Sequence, residues 1–333
     1  MQTDFRTLLE VSRAVGHACG STAWLTSLLN ANAWFVGLFP AQAQDDVWAH
    51  NPGALVAGVV TPSGTARVVE GGYRVSGRWA PASGCAHADW AVLGVTRPDA
   101  EGTSDAVGIV LAPMSELAVE DTWFVAGMRG TASNTLVGED LFVPAHRFHS
   151  VPDAIEGRYA TLHRRDALPG TLRARHRARV DRPPARAGRR RRRHPAGQGP
   201  AAGLTLTNYT VQAEAPTIQL AAANAASHAD SAQLHAYRAA DDLDDAARTG
   251  STRLRRPGAD TYGRGSGRGP RARGGPPRVL GPGRLKLRRV QPLQRVWRDI
   301  ETASRHAVLN PEVAAEIYGK SLFGIQGTVS ALV

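Results

Sequence analysis

Residues Gly77–Trp90, with the sequence GRWAPASGCAHADW, form the stretch around which the rest of the chain is organised. Trp79 offers a broad aromatic face, and the small residues from Pro81 to His87 let the backbone approach a bound ring closely. A second stretch, Gly127–Arg147 (GMRGTASNTLVGEDLFVPAHR), again places small and hydroxyl-bearing residues before an apolar run. We expect the two stretches to be neighbouring edges of one β-domain that holds a flat ring.

The segments around Gly77–Trp90 show the period of two that is typical of β-strands. Apolar and polar residues alternate in segments 54–60, 66–79, 90–97, 105–113 and 135–144. Gly71 and Gly72 interrupt the second segment, where a two-residue hairpin turn requires positive φ angles that glycine adopts without a steric clash. The sequence therefore predicts an antiparallel β-domain with a hairpin at Gly71-Gly72.

Apolar residues at helical spacing precede this β-domain. In Phe5–Phe39 the spacing predicts two packed helices that are interrupted near Gly20. Either Ser21 or Thr22 can cap the second helix, because a side-chain hydroxyl accepts a hydrogen bond from a free N–H of the first turn. The apolar residues of this second helix, Trp24 among them, are expected to be core residues.

Helical spacing returns after the β-domain, in residues 204–248 and 290–333. In the latter an apolar stripe predicts a helix that ends near Asn310-Pro311, because proline disfavours the helical conformation of the residue before it. The chain is therefore assigned to the α+β class. The expected regions are an N-terminal helical domain (1–50), a middle β-domain (51–150) and a C-terminal helical domain (151–333).

Cysteine content and hydropathy indicate the compartment. Cys19 and Cys85 are the two cysteines, which gives no disulfide framework and no Cys/His spacing typical of a metal site. No apolar run reaches the roughly 18 residues that a membrane-spanning helix needs, and the start of the chain lacks the pattern of a secretion signal. The sequence predicts a cytoplasmic protein without a bound metal or a membrane partner.

The positive charge of the chain is concentrated in two segments, 163–200 and 253–289. The whole chain has 40 Lys and Arg against 29 Asp and Glu, a net charge of +11. The two segments together contain 25 basic and three acidic residues, so the remainder carries a net charge of −11. Outside the two segments the balance is typical of a cytoplasmic enzyme.

Both segments consist mainly of Arg, Pro, Gly and Ala, with little apolar periodicity, so neither can bury a face. Arg outnumbers Lys by 38 to 2, which indicates a GC-rich gene, and GC-rich codons in the wrong frame give mainly these four residues. We interpret the segments as frameshifted translation, with disordered basic insertions or a nucleic-acid-binding tract as alternatives. Tyr262 is the single aromatic residue in them, which disfavours base stacking and a nucleic-acid partner.

Several motifs, taken in their order along the chain, point to a known family. They are Gly77–Gly84 (GRWAPASG), Gly127–Thr135 (GMRGTASNT), a strand ending in Val143-Pro144, Pro292–Asp299 (PLQRVWRD) and Arg305-His306. In this order the chain resembles the acyl-CoA dehydrogenase fold. More narrowly it resembles the oxygenase component of two-component (group D) flavin-dependent monooxygenases, which include 4-hydroxyphenylacetate, secosteroid and polyketide hydroxylases.

The resemblance implies a middle β-domain and a C-terminal four-helix bundle, assembled as a homotetramer, with flavin bound between them. A separate NAD(P)H:flavin reductase supplies reduced flavin, FADH2 or FMNH2. The flavin reacts with O2 to give a C4a-hydroperoxyflavin, which hydroxylates an aromatic substrate of the polyketide or phenol type. The flavin carries the difficult chemistry, and the protein positions it.

Individual residues take roles from the same resemblance. Ser83 corresponds to a loop serine that hydrogen-bonds flavin N5, and His306 to a histidine that faces flavin and substrate, both as catalytic residues. The implied cofactor-binding residues are Trp79, Ser83, Gly84, Arg129, Thr131 and Ser133. Asn32 and Gly58 stand at substrate-binding positions where the hydroxyphenylacetate enzymes have a His and a Ser that activate the phenol. This difference predicts a substrate that is already electron-rich or easily ionised.

The chain departs from the family pattern at its start and in the two basic segments. The family has further helices before the position of Met1, and segments 163–200 and 253–289 stand where bundle helices are expected. A four-helix bundle without much of two helices cannot close its core. We therefore expect a truncated N-terminal domain, weak flavin binding, and impaired folding or tetramer formation.

Three other functions stay open from the sequence. They are an acyl-CoA dehydrogenase-like flavin oxidoreductase, an N-oxygenase of an amino sugar and, less favoured, a basic nucleic-acid-binding protein. A dehydrogenase needs a glutamate base, and its usual Gly-Thr pattern is not recognisable in residues 305–320, RHAVLNPEVAAEIYGK. This disfavours the dehydrogenase.

Overall fold

A computed structural model of the chain describes residues 4–98, 105–151, 208–249, 292–306, 309 and 311–325. The predictions made for segments 163–200 and 253–289 lie outside these residues. The helices are α1 (Phe5–Gly16), α2 (Gly20–Val36), α3 (Ala41–Trp48), α4 (Pro216–Thr249), α5 (Pro292–Ala303) and α6 (Pro311–Phe323). The strands are β1 (Val56–Val69), β2 (Gly72–Ala82), β3 (Trp90–Pro98), β4 (Asp105–Pro113), β5 (Ala118–Glu120), β6 (Asn134–Pro144) and β7 (Phe148–Ser150). The predicted α+β class is confirmed.

The strands form one seven-stranded sheet in the order β5-β6-β2-β1-β3-β4-β7. The prediction of an antiparallel sheet is wrong at its centre, because β1 and β3 are parallel, with Val56 opposite Trp90. The other pairs are antiparallel. Alternation of apolar and polar residues reports a half-buried strand in either orientation, so the pattern could not distinguish the two.

The hairpin between β1 and β2 is confirmed, with its turn displaced by one residue. Val69 pairs with Gly72, so the turn residues are Glu70 and Gly71, and Gly71 has a φ of +75°. Gly72 already belongs to β2, and a Cβ on it would overlap the carbonyl oxygen of Val143 in β6. Only the first of the two glycines therefore serves the turn, and the second permits close approach of a neighbouring strand.

Two predicted helix details are corrected, and one helix is added. The N-cap of α2 is Cys19, without a side-chain hydrogen bond, and Ser21 is buried inside the first turn, so the predicted cap at Ser21 or Thr22 is wrong. Helix α3 was not predicted. The helix expected to end near residue 310 ends at Ala303, and Pro311 begins α6, a position where proline is favoured because its missing N–H has no partner to lose.

The described residues group into two compact units. The first contains α2, α3 and the sheet, in residues 12–98, 105–125 and 129–151. The second contains residues 4–11, 126–128 and the described residues after 207. No helix in the described part of the chain is long and apolar enough to cross a membrane.

Strands β3 and β4 of the sheet are buried on both faces, whereas β2 and β6 carry exposed residues on one face. Trp79, Leu93 and Leu136 belong to a core on one face, and Val92 belongs to a second core with Phe39 of the α2–α3 connection. Neighbouring residues of a strand point to opposite faces, so Val92 and Leu93 fill the two cores in turn. Helices α2 and α3 therefore cover one face of the sheet at β1, β3 and β4.

In the second unit, short contacts tie separate parts of the chain to helices α4 and α5. The guanidinium of Arg6 donates to both carboxylate oxygens of Asp241 at 2.8 Å and lies 4.8 Å from the centre of the Tyr237 ring. The backbone N–H of Met128 donates to the carboxylate of Asp299 at 2.6 Å. The start of the chain and residues 126–128 are thereby held by α4 and α5 respectively.

Candidate functional site

A chain of three buried hydroxyls lies in the first unit. Thr131 Oγ1 is 2.7 Å from Ser133 Oγ, which is 2.8 Å from Ser83 Oγ. Thr131 and Ser133 are 1% and 2% exposed, and Ser83 is 6% exposed. Buried hydroxyls need hydrogen-bond partners, and here they supply one another. Of the three residues, Ser83 is the most exposed.

Backbone contacts fix the loop that carries Ser83 against the turn that carries Thr131. The N–H of Gly84 donates to the carbonyl of Thr131 at 2.9 Å, and the thiol of Cys85 donates to the carbonyl of Ala132 at 3.3 Å. Burial raises the pKa of the Cys85 thiol, which keeps its proton for that bond. Gly84 and Ala132 have φ angles of +79° and +44°, and the value at Ala132 is unusual for a residue with a Cβ. The two predicted motifs are thus adjacent and joined by hydrogen bonds to the backbone.

Helix α2 forms the third side of this cluster. The indole Nε1 of Trp24 donates to Ser83 Oγ at 3.4 Å, and a Cβ placed on Gly84 would lie 3.1 Å from Leu25 and 3.2 Å from Leu29. Periodicity predicted Trp24 as a core residue and missed its polar contact. No signal in the sequence connects Trp24 with a serine 59 positions away.

Trp79 lies in the core rather than at the cluster. Its side chain is fully buried, and its Nε1 donates to the carbonyl of Gly94 at 2.7 Å. A Cβ on Gly77 would come within 2.7 Å of the Trp79 ring, so glycine there makes space for the indole. The indole has no exposed face, and the structure does not support the prediction that Trp79 lies beside a bound ring.

The remaining predicted residues of the first unit have distinct positions. Arg129 begins the three-residue 3₁₀ turn Arg129–Thr131, and its side chain is exposed. Asn32 of α2 and Gly58 of β1 are neighbours, because a Cβ on Gly58 would lie 2.6 Å from Asn32 Oδ1. Asn32 is 7% exposed and its Nδ2 donates to the carbonyl of Val56 at 3.2 Å. The two predicted substrate-binding positions are therefore in contact.

His306 belongs to the second unit. It lies three residues beyond the end of α5, and its backbone N–H donates to the carbonyl of Ala303 at 3.1 Å. The side chain is half-buried. In the described residues there is no group of three or more His, Cys, Asp or Glu that could hold a metal ion.

Comparison with known proteins places the chain in a family. No protein-family profile matches it. The oxygenase subunit HsaA of a flavin-dependent monooxygenase from Rhodococcus jostii is 33% identical over 342 aligned positions, covering 94% of this chain and 82% of that protein. The chain belongs to the family of flavin-dependent monooxygenase oxygenase subunits.

Other relatives match over a shorter part of this chain. The oxygenase component of the FADH2-dependent resorcinol hydroxylase from a Rhizobium species is 44% identical over 154 residues, which is 46% of this chain and 38% of that protein. The chain thus spans about 38% of the length of the first curated relatives that it matches.

Solved structures of flavin-binding and monooxygenase proteins share the fold. XiaF from a Streptomyces species, in complex with FADH2 and glycerol, has a TM-score of 0.78 and 32% identity, covering 99% of this chain and 84% of that chain. The HsaA monooxygenase from M. tuberculosis has a TM-score of 0.76 and 28% identity, covering 98% and 85%. The predicted family is confirmed.

The residues of the hydroxyl cluster fit the flavin of such a subunit. A hydroxyl can donate to or accept from a ring nitrogen, and Ser83 is the residue with the largest exposed fraction of the three. Ser83 is fixed on two sides by Trp24 and Ser133. Its position is therefore set before a ligand arrives, as a site for a rigid aromatic cofactor requires.

Proposed function

We propose that the chain is the oxygenase component of a two-component flavin-dependent monooxygenase, which uses reduced flavin and O2 to hydroxylate an aromatic substrate. The observation that carries this proposal is the fixed hydroxyl of Ser83 in a chain of this family. The names of the relatives support it, since they include a FADH2-dependent resorcinol hydroxylase and a p-hydroxyphenylacetate 3-hydroxylase. Bound reduced flavin supplies the activation of O2.

In this proposal the residues of the chain hold and orient the flavin. Ser83 makes a hydrogen bond with N5 of the ring, and Ser133 and Thr131 support Ser83 from behind. The backbone of Gly84 borders the ring. Arg129 is exposed, and its guanidinium suits a phosphate of the flavin nucleotide through paired N–H donors. Trp79 contributes indirectly, as the core residue beneath the loop.

The substrate in this proposal is an electron-rich or easily ionised aromatic compound, such as a polyketide phenol or naphthol. Asn32 and Gly58 are neighbours, and neither an amide nor a glycine without a side chain can remove a proton from a phenol. A ring that ionises without help does not need such a base. His306 is the proposed group that polarises the substrate or the oxygen being transferred, because an imidazole can both donate and accept a hydrogen bond.

The partner in this proposal is a separate NAD(P)H:flavin reductase, and the assembly is a homotetramer in the cytoplasm. The regions 1–50, 51–150 and 151–333 are the proposed domains, the last a helical bundle with segments 163–200 and 253–289 as frameshifted sequence. Several relatives, at 30–44% identity, align with only 40–46% of the chain, which supports a departure from the family in the remainder.

The test supplies enzymatically reduced FAD or FMN and air to the purified chain with a panel of aromatic compounds. The panel contains simple monophenols, resorcinols and naphthols. We expect reductase-dependent hydroxylation of the resorcinols and naphthols, which are the electron-rich or easily ionised members of the panel. One oxygen atom of the product should come from ¹⁸O2. Turnover restricted to simple monophenols would contradict the proposed substrate class, and ¹⁸O-free products would contradict the proposed reaction.

A further inference from the structure

The hydroxyl cluster has an arrangement that restricts what Ser83 can offer to a ligand. A serine hydroxyl has one proton and two lone pairs. The indole of Trp24 is a donor only, so the bond at 3.4 Å occupies one lone pair of Ser83. The contact of 2.8 Å with Ser133 uses either the second lone pair or the proton of Ser83. One bonding position therefore remains for a ligand.

The character of that remaining position depends on the direction of the bonds along the cluster. When Thr131 donates to Ser133 and Ser133 donates to Ser83, both lone pairs of Ser83 are occupied and its proton is available to a ligand acceptor. When Ser83 donates to Ser133 and Ser133 to Thr131, the proton is used and one lone pair is available to a ligand donor. Both directions use the same oxygen positions, since only the hydroxyl protons rotate.

We propose that Ser133 and Thr131 are positioning residues that let Ser83 switch between hydrogen-bond donor and acceptor as the bound flavin changes its redox state. This inference rests on the proposed function. N5 of oxidised flavin is an acceptor, whereas N5 of reduced flavin carries a hydrogen and is a donor. A fixed hydroxyl whose hydrogen bond to its neighbour can reverse direction suits both redox states of the flavin without movement of heavy atoms.

Removal of the Ser133 hydroxyl affects the two states unequally. In Ser133→Ala, oxidised flavin still receives the Ser83 proton, and one lone pair of Ser83 is left without a donor. Reduced flavin instead donates to Ser83, whose own proton then has no acceptor in a buried site. With oxidised flavin the Ser83 oxygen still has one lone pair bonded to Trp24, so it is only partly unsatisfied, whereas with reduced flavin the single hydroxyl proton has no acceptor at all, which is the more unfavourable case. Ser133→Ala therefore weakens the binding of reduced flavin more than that of oxidised flavin.

The experiment measures the Kd of FAD and of FMN in both redox states, anaerobically, by fluorescence titration of the full chain. We expect Ser133→Ala to raise the ratio of the reduced Kd to the oxidised Kd by about tenfold. Thr131→Val, which keeps the shape of Thr131, changes the ratio in the same direction, and Thr131→Ser leaves it near the wild-type value. With 5-deazaflavin, which has carbon at position 5, the effect of Ser133→Ala on the ratio disappears.

Thr135→Val is the matched control, because Thr135 is 7% exposed and bonds Thr122 at 2.8 Å, outside the cluster of Ser83. It leaves the ratio unchanged. Equal weakening of both redox states by Ser133→Ala, with binding by the unsubstituted chain intact, would overturn this inference alone. Absence of any FAD or FMN binding by the unsubstituted chain would overturn the proposed function and the inference with it.

Discussion

The carboxylate of Asp299 accepts the backbone N–H of Met128 at 2.6 Å, across 171 positions of sequence. The next contacts along α5 are of the same kind, since Thr302 Oγ1 accepts the N–H of Gly127 at 3.1 Å. Arg298 donates to the carbonyl of Ala126 at 3.1 Å. Met128 has a φ of +55°, an unfavourable conformation that these bonds stabilise. Gly127 and Met128, at the start of one family motif, are thus held by Arg298 and Asp299 at the end of another and by the nearby Thr302.

Loss of the Asp299 carboxylate should release residues 126–128. We expect Asp299→Ala to lower the free energy of unfolding by about 1.5–3 kcal/mol, the range for a hydrogen bond to a charged group. Urea denaturation monitored by circular dichroism measures this change in the free energy of unfolding. Glu301→Gln is the control, because Glu301 pairs with the exposed Arg305 of its own helix and should contribute under about 1 kcal/mol. Equal effects of the two substitutions would contradict the role of Asp299.

Gly127 is expected to tolerate no side chain. Its Cβ would overlap the carbonyl oxygen of Arg298, a backbone atom that cannot rotate away. Gly127→Ala should destabilise the protein by about 1–3 kcal/mol, as overpacking does. Among the described residues, and apart from its chain neighbours and its own helix backbone, nothing lies within 4 Å of the Cβ position of Gly319 in α6, so Gly319→Ala should stabilise by up to about 1 kcal/mol through helix propensity. Thermal unfolding of both variants gives opposite shifts, and shifts of the same sign would contradict the prediction.

Sequence patterns predicted the five longer strands because alternate positions in each of them carry apolar residues that are buried in the structure. They could not give the parallel pairing of β1 and β3, which depends on where the chain returns after β2 rather than on any local pattern. The hairpin was found because Gly71 requires a positive φ, a strictly local property.

The residues of the predicted site were also found where a local motif identified them and missed where a long-range contact decides their role. Ser83, Thr131 and Ser133 were found through resemblance in two motifs, and the structure brings them within hydrogen-bonding distance. Trp24 was missed because its contact joins a helix to a distant loop. Trp79 was assigned to the ring because an aromatic residue before a small-residue loop has the same sequence pattern whether it faces a ligand or the core.

Asn32 and Gly58 should show strong energetic coupling. Gly58→Ala places a methyl group 2.6 Å from the position of Asn32 Oδ1 and should destabilise the chain by about 1–3 kcal/mol. In an Asn32→Ala background the methyl group fills the vacated space, so the added effect should fall below about 1 kcal/mol. A double-mutant cycle in urea measures the coupling. Additive effects of the two substitutions would show that the residues are independent.

Asp46 should make the stability depend on acid pH. Burial alone would raise the pKa of this carboxyl, but hydrogen bonds from Arg147 at 2.6 Å and His146 at 2.7 Å lower it overall below its ordinary value of 3.8. The unfolded chain then takes up the proton at higher pH than the folded chain. The stabilisation is therefore present above about pH 4 and is lost as the pH falls through the folded value.

The measurement is the free energy of unfolding of wild type and Asp46→Asn between pH 6 and pH 3. The side chains of Asp46 and Arg147 are 26% and 20% exposed, so the difference should be modest, about 1 kcal/mol near neutral pH. It should shrink below about pH 4. Asp45→Asn, a substitution at the exposed neighbour, should leave the acid dependence as in wild type. A difference that stays constant over this range would contradict the assignment to Asp46.

Frameshifted translation of segments 163–200 and 253–289 predicts a specific result at the level of the gene. The two other reading frames of each window should include one that encodes apolar residues at helical spacing, because bundle helices need a continuous apolar face. A chain with both frames restored should bind FAD or FMN more tightly in fluorescence titration and form a tetramer by light scattering. Stop codons or absence of helical periodicity in both alternative frames would exclude the frameshift and favour disordered basic insertions.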